Sequence, residues 1–153
     1  EYMLTTIKQS DNNVKYNKQK NRITVQALTT DKPVEMGTTQ TVDPNYQTFK
    51  PYELDNNVFQ ALKENDKLCV MLDNNKDSNI LASIHRGNLT VVVNKGLYGL
   101  SIEVDDKPIM QEFIKLVQQN KVKSVQIYTD EVTSMNKLIE KIGKIKAISI
   151  NTR

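Results

Sequence analysis

A chain of 153 residues with 38% hydrophobic content is long enough for one domain with an ordinary core, needing no disulfide or metal staples. Its one cysteine, Cys69, excludes an internal disulfide, and with one histidine, His85, most zinc and thiol chemistries are excluded by counting. The formal charge of +3 comes from lysines mixed among 18 acids, with Arg22, Arg86 and Arg153 as the arginines, so basicity alone does not point to nucleic acid.

No apolar run approaches the roughly 18 residues of a membrane span, and the N-terminus lacks the basic-then-apolar build of a signal peptide. A soluble, intracellular protein is expected, with Cys69 as a buried thiol. With Glu rather than Met as first residue, the chain is expected to be either a recombinantly excised piece or the remnant of a longer product, whose flanks would then share in the function.

Residues 1–21 are rich in Asn, Gln and Lys after a short apolar start and read as a polar arm or edge strand; residues 22–153 read as the folded domain. Arg22 to Thr30 alternates as a half-buried strand, which Asp31-Lys32-Pro33 ends. From Val34 to Pro51 no periodicity appears, and a loop of that length reads as a lid over a cleft. Leu54, Val58, Phe59 and Leu62 form a helical stripe that Asp55 or Asn56 would cap.

From Phe59 to Val104 the pattern is an antiparallel meander. Leu68 to Leu72 is an apolar strand, Asn79 to His85 and Asn88 to Val93 a strand pair turning at Arg86-Gly87, and Leu97 to Val104 the next strand. Asp105-Asp106-Lys107-Pro108 then opens a helix whose buried face is Ile109, Phe113, Leu116 and Val117, and Asn120 ends it. Val122 to Tyr128 is a strand with Ser124, Gln126 and Tyr128 on one face. Ser134 would cap a short helix along Met135, Leu138, Ile139 and Ile142, with a strand over Leu138 to Ile142 as the alternative; Ile145 to Ile150 is the last strand.

No Gly-rich phosphate loop, GxSxG elbow or HExxH occurs, and Asp73, Asp77, Glu103, Asp105 and Asp106 sit where turns and helix starts use acids. No metal or cofactor is expected. His85 beside Arg86-Gly87 reads as a surface residue at a strand end, and Lys123 cannot activate Ser124 because adjacent side chains on a strand point to opposite faces.

The ordered set Val58-Phe59, ALKENDKLCVMLDNN, NILAS, RGNLTV, NKGLYGLSIEV, KPIMQEFIKLVQQN, KVKSVQIYT and IKAISIN resembles the prohead protease family of tailed bacteriophages, the capsid-maturation serine proteases related in fold to herpesvirus assemblin. The resemblance covers about Phe49 to Thr152. It implies an α+β fold with a mainly antiparallel, barrel-like core and two or three flanking helices. Residue by residue, it puts the family's histidine at Asn75, its serine at Gln126 and the acidic residue of the last strand at Ala147. None of the three keeps its chemistry: an amide neither attacks a carbonyl nor takes a proton near neutral pH, and a methyl group orients nothing. A one-residue shift does not restore the set, since Asn74 and Lys76 flank Asn75, and Val125 and Ile127 flank Gln126. Ser124 and Tyr128 stand where the family has glycine.

The resemblance therefore implies a pseudoprotease of the prohead, a structural or scaffold-like part of capsid assembly. It would act in the host cytoplasm, prohead or virion, with Asn75, Ser124, Gln126 and Ala147 lining a cleft for a segment of major capsid or scaffold protein, and self-association is compatible with that role. The alternative is an active maturation protease using displaced residues, Ser124 as nucleophile and His85 as base, although Ser124 lies about 7 Å along the strand from Gln126. A third reading, nucleic-acid binding through the basic stretches Lys15 to Arg22 and Lys137 to Lys146, is not the expected one and predicts steeply salt-dependent binding.

Overall fold

A computed structural model describes residues 3–39, 49–74 and 80–153. The chain is mostly β, 55% strand against 11% helix, in two sheets that do not close into a barrel. The barrel-like core with two or three helices is thus corrected: among the described residues there is one α-helix, α1 (Pro108–Gln118).

The strands in chain order are β1 (Leu4–Ser10), β2 (Val14–Asn17), β3 (Arg22–Thr29), β4 (Val34–Thr39), β5 (Lys50–Leu54), β6 (Cys69–Leu72), β7 (Ile80–Ser83), β8 (Leu89–Asn94), β9 (Leu97–Glu103), β10 (Ser124–Thr129), β11 (Val132–Met135), β12 (Leu138–Ile142) and β13 (Ile145–Asn151). One sheet runs β11-β12-β5-β4-β1-β10-β13-β6-β7, the other β2-β3-β9-β8. One apolar cluster joins them: Ile7, Val70, Ile127, Ile148 and Ile150 of the large sheet and Ile23, Val25, Leu100 and Ile102 of the small one are all buried. Alternation along each strand sets these inward and sends their neighbours to the other face.

Residues 4–10, within the stretch read as an arm or edge strand, lie between β4 and β10 with antiparallel partners on both sides. Gln9 fixes this strand to the other sheet. Its Nε2 donates to the carbonyls of Thr29 and Lys32, at 2.9 and 3.2 Å, and its Oε1 accepts the Thr29 N–H at 2.8 Å, so a buried amide is satisfied at both ends.

The helix expected from Leu54 to Leu62 is a single 3-10 turn, Val58–Ala61. Val58 and Phe59 are buried as the stripe requires, but Leu54 belongs to β5, paired in parallel with β12. The Asp55 carboxylate accepts the Asn57 N–H at 2.9 Å, a local turn that competes with a helix start. The helix expected from Ser134 is the β11–β12 hairpin, the weighed alternative. Asn136 and Lys137 both have positive φ, 52° and 66°, the two-residue turn whose twist suits paired strands. The Val34 to Pro51 stretch holds β4 and the start of β5; residues 40–48 of it, like Asn75, lie outside the described residues.

The meander is split. β7 and β8 belong to different sheets, and the turn between them carries the chain across. Asn88 stands in for a partner strand on β7: its Oδ1 accepts the Ser83 N–H at 3.0 Å and its Nδ2 donates to the Leu81 carbonyl at 3.2 Å. Helix α1 begins at Pro108 and buries Met110, Phe113, Ile114 and Val117, a stripe rotated from the expected Ile109 and Leu116, which are half-buried. Asn120, at φ 55°, ends it: the N–H groups of Asn120 and Lys121 bond the carbonyls of Val117 and Leu116, the paired bonds of a Schellman stop.

Candidate functional site

On the face of the large sheet turned away from the core, β10 and β13 pair Ser124 with Asn151, Gln126 with Ser149, and Tyr128 with Ala147. All six residues are buried, Gln126 at 1% exposure. Two polar side chains in succession on each strand would be costly there unless bonded to one another. They are. Asn151 is the hub: its Oδ1 accepts from Ser149 Oγ at 2.7 Å and from Asn74 Nδ2 at 3.1 Å, and its Nδ2 donates to Ser124 Oγ and Gln126 Oε1, both at 3.3 Å. Ser149 Oγ accepts the Asn74 N–H at 2.8 Å, and the Tyr128 hydroxyl donates to Asn74 Oδ1.

Asn74 reaches this cluster because β6 ends in two left-handed residues, Asp73 and Asn74, at φ 53° and 59°, a conformation Asp and Asn tolerate better than most. The Asp73 carboxylate is held as an acceptor, from the N–H and hydroxyl of Thr152 at 2.7 and 2.8 Å. Lys8 shares the face opposite Gln126, but its ammonium lies 3.9 Å from the Glu35 carboxylate and 4.4 Å from the centre of the Phe49 ring.

The structure thus gathers Ser124 and Gln126 into one network and sets Ala147 beside Tyr128. His85 is elsewhere. The Ile84 N–H bonds the Leu68 carbonyl, and β6 is in parallel register with β13 (Val70 beside Ile148), so the level of Leu68 is five residues from the level of Ser124 and Asn151. That is about 17 Å along the strands and three strand spacings, about 14 Å, across them. A histidine that far away accepts no proton from Ser124, since general-base transfer needs contact near 3 Å. Among the described residues these bonds of the cluster join amides and hydroxyls. The hub residues Asn151 and Ser149 were not singled out from the sequence, although they alternate with Ala147 on one strand and so share its face.

A second feature lies at the other end of β13. A groove of about 800 Å³ opens between the sheets, floored by Phe59, Leu68, Tyr98 and Ile145 and bounded by the free edge of β8. The rings of Phe59 and Tyr98 stand 6.1 Å apart. Burial raises the Tyr98 phenol above its ordinary value, because the anion is poorly solvated there. A raised folded-state pKa of an acid favours the neutral form in the fold, so the contribution to stability is whole below about pH 10, where unfolded tyrosine ionises, and is lost as pH rises beyond it. Urea midpoints are therefore expected to fall more steeply above pH 10 for the native chain than for Tyr98→Phe; equal slopes contradict this.

No family model, no curated protein and no solved structure matches this chain. Among the described residues no group of three His, Cys, Asp or Glu side chains stands where it would hold a metal ion, and no helix is long and apolar enough to cross a membrane.

Proposed function

We propose that this chain is a non-hydrolytic component of bacteriophage head assembly, binding an extended segment of capsid or scaffold protein. The reading starts from the resemblance of the central block to prohead proteases. The single observation that carries its non-catalytic part is the buried network: the position assigned to the nucleophile is Gln126, bonded to Asn151, and the one imidazole of the chain, His85, lies about 17 Å along the strands and about 14 Å across them from Ser124. A two-sheet β protein can recognise a chain segment through main-chain hydrogen bonds without breaking any bond.

The test is assembly. Purified protein is mixed with the coat protein of the phage that encodes it, with and without the scaffold protein, and the mixtures are sedimented. Sedimentation with the shells, with coat and scaffold chains of unchanged mass, is the expected result. Absence from the shells under both conditions overturns the assembly role.

A further inference from the structure

The four sheet edges are not treated alike. On β7 the outer N–H of Ser83 and carbonyl of Leu81 are taken by the Asn88 amide, and Arg86 Nη1 donates to the Ile80 carbonyl at 3.2 Å. Side chains there do what a further strand would do, a common guard against unwanted pairing. Edge strands β2 and β11 are four residues each. The six residues of β8, LTVVVN, carry no charge and no proline, and Val92 and Val93 are 42% and 44% exposed.

The direction of the β8 backbone follows from its register. Leu89 pairs with Ile102, and the Glu103 N–H bonds the Asn88 carbonyl, so Asn88, Thr90, Val92 and Asn94 turn their N–H and C=O groups toward β9. Leu89, Val91 and Val93 turn theirs outward. These three residues also line the groove. A row of main-chain donors and acceptors therefore runs along a largely apolar channel of about 800 Å³.

Two polar features of the groove are open to an occupant. Tyr98 is 3% exposed and lines the floor, and its hydroxyl, which makes no hydrogen bond with the described residues, keeps access to the groove and can donate to an acceptor there. At the mouth stand the exposed carboxylates of Glu64 and Asp66, neither of them in an ion pair among the described residues. An occupant that meets all of this has extended main chain to pair with β8, a carbonyl over Tyr98, apolar side chains at alternate positions, and a basic residue where it leaves past Glu64 and Asp66.

We propose that the β8 groove binds an extended, apolar polypeptide segment with a basic residue at one end, which adds as a fifth strand to the β2-β3-β9-β8 sheet. The site lies at the opposite end of β13 from the Asn151 network, and the inference does not rest on the head-assembly reading.

The probe is a fluorescein-labelled peptide, acetyl-Lys-Thr-Val-Thr-Val-Thr-Val-Thr-amide, titrated with the full chain and read by anisotropy. Two controls leave the protein or its fold untouched: the same peptide N-methylated at alternate amides, and Tyr98→Phe, which keeps the ring. Saturable binding that N-methylation abolishes, that Tyr98→Phe weakens about fivefold to tenfold, and that weakens further when the peptide Lys is replaced by Glu is the expected result. No binding at millimolar protein, or binding indifferent to N-methylation, overturns the proposal. So does a concentration-dependent dimer that excludes the peptide, since a second copy would then occupy the edge.

Discussion

Deletion of residues 1–10 is expected to leave no cooperatively folded protein. β1 fills the gap between β4 and β10, and its removal exposes the buried edge of each. Leu4 and Ile7 leave the core, at about 1.5–3 kcal/mol each. The Thr29 and Lys32 groups bonded by Gln9 lose that partner, which costs about 1–3 kcal/mol for each that stays buried and unpaired. These losses are comparable with the whole stability of a domain, about 5–15 kcal/mol, before any pairing between strands is counted. Circular dichroism through a urea titration reads the outcome; a sigmoidal transition in the truncated chain, with the native slope, contradicts this placement of β1.

The second large effect is expected at Asn151. Asn151→Ala withdraws one residue's two amide atoms from four partners at once, and Ser124, Gln126, Ser149 and Asn74 lie where water has poor access. A loss on the order of 3 kcal/mol is expected, or a fall in Tm of about 6–12 °C for a chain of this size. Ser124→Ala removes one long bond and should cost under about 1 kcal/mol. If the cluster acts as a unit, the double mutant Asn151→Ala/Gln126→Ala will fall short of the sum of the single losses, and strict additivity would show that Asn151 and Gln126 do not interact in the native state.

What the sequence made legible follows from which signals are local. The apolar runs from Cys69 to Leu72, Leu97 to Glu103 and Ile145 to Asn151 form strands close to where their pattern puts them, because short apolar or alternating runs bounded by turn residues mark a strand locally. The stop of α1 at Asn120 is local as well. The partners of each strand are not. Nothing near Leu4–Ser10 says that its Thr, Lys and Gln will be flanked on both sides, and the parallel pairings of β13 with β6 and of β12 with β5 join segments far apart in the chain. Met135, Leu138, Ile139 and Ile142 fit a helix by spacing; the left-handed pair Asn136-Lys137 decides for a hairpin, and without glycine that turn is weakly marked.

The candidate site was legible in part. Alternation on β10 put Ser124, Gln126 and Tyr128 on one face, as the backbone has them. Alternation on β13 carried the same information for Ala147, Ser149 and Asn151, but a hub that joins three strands becomes visible only when their register is known. The relation of His85 to Ser124 likewise depends on register across four strands, which no local pattern holds.

The central claim is that, among the described residues, the side chain bonded to both Ser124 and Gln126 is the Asn151 amide, and that His85 lies too far along and across the sheet to serve Ser124 as a base. Under the head-assembly proposal, incubation of the purified protein with capsid and scaffold precursors, read by intact-mass spectrometry, tests it most directly. Every precursor is expected to keep its full mass after prolonged incubation, with Ser124→Ala indistinguishable from the native chain. Site-specific fragments that appear with the native chain and vanish with Ser124→Ala would contradict it.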